Sequence, residues 1–355
     1  MYEVLKFETA ESFLEELQSN RWSEGHALTN WYFRGHGNAD WSLLPCAHRQ
    51  SSWAPYFKDL VQHMVDKARA RPSSPDLSSG SEVEDRRVFT NAVVQAQATL
   101  VTVFVNQLEK FGERVPDHDA IPHWLEEMTR LTRHGLPHEL RPTDSVAMAR
   151  HHGIPTNLLD WSTRPRVAAF FAARSCLEEV QKPRPKPIEW LCVWGLHKSW
   201  VSYRDKQATD EDPIVLIPYQ GSHASNPFAR AQAGYFTLDM FASKRYRSNG
   251  RWIGLEEWLE VPRECFRKLM LRADQADALL RELYYDDVTA SALMPDRDKV
   301  AEDAIRIASW YKDWLVSPDV RLTNSDARAR PTLVPRAGPA AANQPQPDAG
   351  GLEKA

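Results

Sequence analysis

A strand-to-helix segment decides the predicted fold: IPTNLLDW at residues 154–161, followed by STRPRVAAFFAARSCLEEV at residues 162–180. The first part is a short and largely apolar run, which predicts a buried β-strand. The second part is almost wholly apolar and carries Pro165 in its first turn, where the missing N–H of proline costs nothing. It therefore predicts a helix that follows the strand directly.

Three further helices are predicted from the spacing of apolar residues. They span residues 9–20, 88–112 and 143–152. The second is the longest, and Gly112 at its end is a C-cap candidate because glycine readily adopts the left-handed conformation found there.

Short apolar runs predict strands at WYFRG (31–35), IEWLCVWGL (188–196), PIVLIPY (213–219) and AGYFTL (233–238). The Asn-Gly pair inside KRYRSNGRWIG (244–254) predicts a type I′ hairpin. Helices come mostly first and strands mostly later. This order favours an α+β fold, with several helices packed on a small, mostly antiparallel sheet in a single large domain.

The predicted domain organisation has three parts. Residues 1–20 form the N-terminal helix of the domain, and residues 21–315 form its main body. Within that body, residues 70–87 are rich in Ser, Pro and charge and predict a flexible insertion loop. Residues 316–355 contain no aromatic residue and predict a disordered C-terminal tail.

The composition argues against several classes of protein. The chain has 355 residues, with 44 Lys+Arg against 48 Asp+Glu, so it lacks the general basic coat of a nucleic-acid or anionic-membrane binder. Its four cysteines have no C-x-x-C spacing, which argues against a zinc ribbon or a disulfide scaffold. We find no signal-peptide core and no apolar stretch of membrane-spanning length. These features predict a cytoplasmic protein that does not bind a membrane.

The common motifs of nucleotide and metal enzymes are missing from the sequence. It contains no G-x-x-x-x-G-K-[ST] loop, no G-x-S-x-G elbow and no H-E-x-x-H helix. His134 and His138 are four residues apart, but Pro137 lies between them and disrupts the helix that would bring them together. We therefore predict no bound metal.

The segment WYFRGHG at residues 31–37 places an arginine within an aromatic strand. The guanidinium of Arg34 needs a partner there, because buried charges are costly unless paired. One interpretation is that Arg34 holds a phosphate or carboxylate group of a ligand, and the other is a structural ion pair with an aspartate. Gly35 leaves room for a ligand or a backbone to approach closely.

Asp160 is the natural partner for Arg34. It lies where the predicted strand meets the next helix, and a carboxylate at a helix N-terminus stays ionised. A simple helix cap explains the same residue equally well. His151 and His152 precede this strand, and His152 is open to interpretation as a ligand-binding residue or as a core histidine.

Two later features also allow two interpretations. Gln232 enters a strand beside a glycine, and its amide can donate and accept hydrogen bonds to a ligand or simply lie at a strand edge.

Lys244–Arg247, with Arg251 and Trp252, resembles a base-stacking and phosphate-binding hairpin. The acidic balance of the chain favours a solvated hairpin instead, so nucleic acid is not the expected partner.

These segments, in this order, resemble the FRG domain, a bacterial and phage family named after a Phe-Arg-Gly motif. FRG at residues 33–35 and WSLLP at 41–45 are similar to the opening of the family. ARHHGIPTNLLDWSTRPRVAAFFA at residues 149–172 matches its central signature. QAGYFT at 232–237 and VTASALMPD at 288–296 resemble two later motifs, so the likeness covers nearly the whole chain outside the tail.

The resemblance suggests a layout like that of ADP-ribosyltransferases, with NAD as the hypothetical cofactor and a role in phage defence or toxin action. In that layout Arg34 holds the pyrophosphate of NAD, the Thr156 hydroxyl positions the nicotinamide ribose, and Gln232 acts at the transition state. The predicted catalytic residues are therefore Arg34, Thr156 and Gln232. The predicted cofactor-binding residues are Arg34, Gly35, His152, Asp160 and Trp161.

The enzyme hypothesis has a weak point, because the neutral amide of Gln232 cannot supply the negative charge that such a transition state needs. Asp239 and Glu256 are the alternative acids. The second hypothesis is a non-catalytic module that binds a nucleotide, a nucleic acid or an acidic partner. A metal-dependent nuclease that uses the histidine pair 151–152 and Asp160 ranks last, because adjacent histidines point in different directions. The sequence leaves the first two hypotheses open.

Overall fold

The computed structural model describes residues 2–18, 22, 30–70, 82–113, 115, 117, 139–140, 143–201, 216–222 and 226–316. Residues Met1–Asp303 form one compact unit, which holds the sheet and the candidate site. Residues Ala304–Ala355 form a second unit, of which the structure describes the end of a helix.

A seven-stranded sheet forms the centre of the first unit. Its strands are β1 (Glu3–Phe7), β2 (Trp31–His36), β3 (Leu158–Ser162), β4 (Trp190–His197), β5 (Leu216–Tyr219), β6 (Gly234–Asp239) and β7 (Phe266–Arg272). They are arranged in the order β1-β7-β4-β2-β3-β6-β5. Strands β1 and β7 are parallel, and every other pair is antiparallel. The predicted α+β fold with a mostly antiparallel sheet is confirmed.

Helices surround this sheet. They are α1 (Ala10–Glu16), α2 (Pro55–Arg69), α3 (Glu82–Lys110), α4 (Asp144–His151), α5 (Pro165–Val180), α6 (Pro227–Ala231), α7 (Ala242–Asn249), α8 (Leu255–Trp258), α9 (Ala276–Tyr285), α10 (Ala290–Leu293) and α11 (Arg297–Val316). The predicted helices at 9–20, 88–112, 143–152 and 162–180 correspond to α1, α3, α4 and α5. The description of residues 1–20 as the N-terminal helix is wrong for its first part, because residues Glu3–Phe7 form strand β1 and pair with β7.

The predicted hairpin at residues 244–254 is wrong. Most of that segment belongs to helix α7, and Gly250 ends the helix with φ 71°. An Asn-Gly pair suits a type I′ turn because its residues tolerate positive φ, and a helix C-cap has the same requirement at one residue. Tertiary contacts favour the helix, since the ring of Tyr246 packs 4.7 Å from that of Trp252 and 5.1 Å from that of Phe89 on α3.

Helix α3 corrects two expectations. It contains a stretch that is long and apolar enough to cross a membrane by composition, although 61% of that stretch is buried inside the protein. It also begins at Glu82, so the end of the predicted loop at 70–87 is helical, while residues 71–81 lie outside the described residues. The predicted tail beyond residue 316 and the histidine pair 134 and 138 also lie outside them.

The two glycines of the FRGHG segment allow α5 to lie directly on β2. A Cβ atom at Gly35 would be 2.0 Å from the backbone oxygen of Ala168, and one at Gly37 would be 2.5 Å from the backbone nitrogen of Cys176. Such distances are far inside van der Waals contact, so any larger residue would push the helix away from the strand. Of the two roles predicted for Gly35, the structure shows the close approach of a backbone.

Candidate functional site

A cavity of about 200 Å³ lies where β2, β3 and β6 meet the first half of α5. Its polar lining includes Arg34, His36, Arg49, His151, Asp160 and Gln232. Because β2 and β3 are neighbours in the sheet, Arg34 and Asp160 approach each other although 126 residues separate them in the chain.

Arg34 and Asp160 form the ion pair that the sequence suggested. Nη1 of Arg34 lies 2.7 Å from Oδ2 of Asp160 and donates a second bond, also of 2.7 Å, to its backbone oxygen. The Arg34 side chain is only 7% exposed, so this partner compensates a charge that is nearly out of water. Nη2 of Arg34 has no acceptor among the described residues.

Arg150, from the last turn of α4, is a second cation on the same carboxylate. Its Nε and Nη2 donate to Oδ1 of Asp160 at 3.0 and 2.7 Å. Burial alone would raise the pKa of Asp160, but the charges of Arg150 and Arg34 outweigh it and hold that pKa well below its usual range. Asp160 is therefore ionised throughout the physiological range and fully engaged by two arginines.

His36 fixes the orientation of Arg34 from within the same strand. Its Nε2 accepts a hydrogen bond of 3.1 Å from Nε of Arg34. Burial, together with the charges of Arg34 and Arg49, holds the pKa of His36 well below its usual range. The ring is therefore neutral and adds no charge to the cavity.

Unlike the other two arginines, Arg49 forms no ion pair with a carboxylate among the described residues. Its Nε donates to the backbone oxygen of Leu44 at 2.7 Å, but its Nη2 is buried without an acceptor in the described part of the chain. Burial and the nearby charges of Arg34 and Arg150 lower its pKa to about 10, so Arg49 is still a cation at pH 7.

His151 lines the cavity as a neutral ring. Burial lowers its pKa to about 4, and its Nε2 is buried without a hydrogen-bond partner in the described part of the chain. Its ring packs edge-on against Phe236, 5.4 Å between centroids. Such a ring can donate or accept one hydrogen bond to a group inside the cavity.

Gln232 reaches the cavity from the end of α6, two residues before β6 begins. Its backbone oxygen accepts a bond of 2.7 Å from the hydroxyl of Ser162, at the junction between β3 and α5. Its side chain donates to the backbone oxygen of Leu293 at 3.2 Å. The amide therefore keeps its oxygen available as an acceptor for a ligand.

Of the other predicted site residues, Gly35 and Trp161 line the cavity, whereas Thr156 and His152 do not. Thr156 is 0% exposed, and its hydroxyl is buried without a partner among the described residues. His152 is exposed at the end of α4 and contacts the ring of Phe104. The structure thus brings His151, rather than His152, to the cavity.

The alternative acids also lie outside the cavity. Asp239 forms an ion pair with Arg245, and Glu256 accepts a bond of 2.9 Å from the backbone N–H of Leu43. Among the described residues, no three His, Cys, Asp or Glu side chains are grouped as metal ligands would be. The arrangement needed by the nuclease hypothesis is missing, because His152 does not join Asp160 at the cavity.

A model of the FRG domain matches residues 95–181. The chain contains an FRG domain. The matched segment runs from within α3 to the end of α5 and supplies Arg150 and Asp160. Arg34 and Gln232 lie outside it, so their assignment to FRG motifs stays a prediction. Searches of the curated proteins and of the solved structures found no match.

Arg49 and Arg150 are the site residues that sequence reasoning missed. Arg150 lies inside the signature segment, in the last turn of a helix with Thr143 as its N-cap, and a cation at the helix end that leads into the strand of Asp160 was a usable signal. Arg49 lies in CAHRQSS at residues 46–52, where nothing in the local pattern distinguishes it from a surface arginine.

Proposed function

We propose that this FRG domain binds a small anionic molecule, with a phosphate group, in the cavity beside Arg34 and Arg49. The observation that carries the proposal is an unbalanced charge. Three guanidinium groups, those of Arg34, Arg49 and Arg150, accompany the single carboxylate of Asp160 among the described groups of the site. A buried cation without a counter-charge is costly, and a bound anion supplies that charge.

The balance of charge favours a phosphate over a carboxylate ligand. Three positive charges and one negative charge leave an excess of two, which a phosphate monoester dianion would neutralise. The planar guanidinium presents its donors in a geometry that matches phosphate oxygens. Nη2 of Arg34 and Nη2 of Arg49 are the donors left over for such a group.

The test is a calorimetric titration of the full chain with inorganic pyrophosphate, for the wild type and for Arg49→Gln. We expect Arg49→Gln to weaken binding by roughly ten- to a hundred-fold, the usual effect of losing a hydrogen bond to a charged group. Arg251→Gln is the matched control, because Arg251 is 60% exposed and paired with Glu257 at the surface. Equal affinities for the wild type and Arg49→Gln would overturn the proposal, as would an absence of binding.

Cleavage of NAD is the second candidate function, and it is favoured by the fact that Arg34 and Gln232 line the same cavity. Two observations count against it. The hydroxyl of Thr156 is buried away from the cavity, and the carboxylate of Asp160 is engaged by two arginines. A role in phage defence or toxin action remains a hypothesis from the resemblance alone.

The two candidates are separated by incubating the protein with NAD and following released nicotinamide. Wild type and Arg34→Ala are compared, with the fold of each checked by circular dichroism. We expect no release from either protein. Release by the wild type that Arg34→Ala abolishes while still folded would establish NAD cleavage instead of binding alone.

A further inference from the structure

We propose that the ligand of this cavity is a nucleotide, whose phosphate meets Arg49 and whose planar base stacks on Trp41. The inference rests on the proposed anion site and adds to it the chemical class of the rest of the molecule. It is based on the aromatic part of the cavity lining, which an anion-binding site alone does not explain.

Six Phe, Trp and Tyr side chains line the same cavity as the arginines, and three of them have exposed ring surface: Trp41, Phe171 and Tyr235. The other three lining rings, those of Phe33, Trp161 and Phe236, are buried. Partly exposed aromatic rings inside a cavity provide apolar surface that a ligand can cover, and inorganic anions do not cover it.

Trp41 is the ring best placed to receive a base. Its one ring contact among the described residues is with His36, 6.1 Å between centroids and edge-on. Its indole therefore has no stacked partner in the described part of the chain. The other two partly exposed rings have closer ring neighbours, since Tyr235 lies 5.2 Å from Tyr32 and Phe171 lies 5.5 Å, edge-on, from Phe170.

Trp41 and the two arginines with unused donors belong to one cavity, because Trp41 lies close to His36 and His36 is bonded to Arg34. A ligand with a charged end and a flat aromatic end satisfies both sets of groups at once. The unpartnered Nε2 of His151 supplies a further hydrogen bond for a hydroxyl or ring nitrogen. Nucleotides carry all of these groups in one molecule.

Stacking and charge can be measured separately with three probes: ADP, inorganic pyrophosphate and ribose 5-phosphate. We expect the full chain to bind ADP roughly ten-fold or more tightly than pyrophosphate, because a base stacked on an aromatic side chain contributes at this level. Ribose 5-phosphate, which has no base, should bind no better than pyrophosphate. Trp41→Ala should remove the preference for ADP, whereas Arg49→Gln should weaken all three probes.

The controls keep this result distinct from the anion proposal. Tyr285→Ala is the matched aromatic control, since Tyr285 is 74% exposed and does not line the cavity. Should Trp41→Ala not fold, Trp41→Leu replaces it, and the comparison of ADP with pyrophosphate on the wild type remains decisive. Equal binding of the two probes would overturn the nucleotide inference and leave the anion site standing. Failure of both to bind would overturn both proposals.

Discussion

Two carboxylates in this protein, the partly exposed Asp160 and the buried Glu139, have opposite surroundings. Asp160 lies between two arginines, and their charges hold its pKa well below the usual range against the effect of burial. Glu139 is 3% exposed and has only neutral donors among the described residues, the backbone N–H of Ser243 at 2.7 Å and the Asn157 amide at 3.3 Å. Burial raises its pKa to about 7, and these hydrogen bonds offset only part of that effect.

The difference between the two carboxylates shows how their partners determine their charge. A carboxylate with two cationic partners stays charged, and it organises Arg34 and Arg150 beside the cavity. A carboxylate with neutral partners is close to losing its charge at pH 7, so it acts as a core polar group. Hydrogen bonding alone does not keep a buried acid ionised, and cations are the deciding factor here.

Among the variants considered, Asp160→Asn should have the largest effect on stability. Removing the charge leaves Arg34 and Arg150 without a counter-charge, and we expect a loss of about 3 kcal/mol in the free energy of unfolding. This is the low end for a broken buried pair, because the Asp160 side chain is 40% exposed and partly solvated. Chemical denaturation of the wild type and the variant at pH 7 measures the effect. A change below about 0.5 kcal/mol would mean that the arginines do not depend on Asp160.

The variant Glu139→Gln tests the other carboxylate, through the pH dependence of the free energy of unfolding. The pKa of Glu139 is raised in the folded state, so its stabilising effect is complete below its ordinary pKa of 4.5 and is lost as the pH rises through about 7. We therefore expect the wild type to lose about 2 kcal/mol relative to Glu139→Gln between pH 5 and pH 8.

Taking the difference between wild type and variant removes the contribution of the buried histidines, whose lowered pKa values act in the opposite direction. Asp160→Asn serves as the comparison, because Asp160 is ionised at both pH values in the folded and unfolded chain. Its effect should be the same at pH 5 and pH 8. A flat difference for Glu139→Gln would show that Glu139 is already ionised at pH 5.

The smallest expected effect on stability is that of Arg49→Gln. The guanidinium of Arg49 has no ion pair with a carboxylate in the described part of the chain, and the repulsion from Arg34 and Arg150 outweighs the attraction of Asp160. We expect the free energy of unfolding without ligand to rise slightly, by less than about 1 kcal/mol. Thermal unfolding in a phosphate-free buffer measures this. A clear loss of stability would identify Arg49 as a structural residue with a partner of its own.

The elements that were predictable from the sequence are those whose signal is local. The segment around Pro165 contains its own strand, turn and apolar helix, and β3 and α5 form where expected. Strand β7 was missed because FRKLMLR at 266–272 has two adjacent charged residues, Arg267 and Lys268, which break the alternation typical of a strand. The segment takes its strand character from its partners β4 and β1.

The site was predictable in part for the same reason. Arg34 stands out because a charge in the middle of an aromatic strand needs a partner, and Asp160 was the partner expected. Arg49 and His151 become site residues only when loops and helices distant in the chain meet around the cavity. Thr156 was predicted as a site residue only from the similar layout of ADP-ribosyltransferases. Which side chains of this segment face the cavity depends on the register of β3, and the sequence does not give that register.

The pairing of β1 with β7 also bears on how the chain is made. Val4 pairs with Lys268, so β1 cannot form its hydrogen bonds with β7 until residue 268 has been synthesised. At ribosomal speeds of about 5–20 residues per second, that wait is roughly 13–53 seconds, far longer than a helix needs to form. Strand β1 therefore waits for its partner through most of synthesis, and during that interval its unpaired edge is accessible to a chaperone.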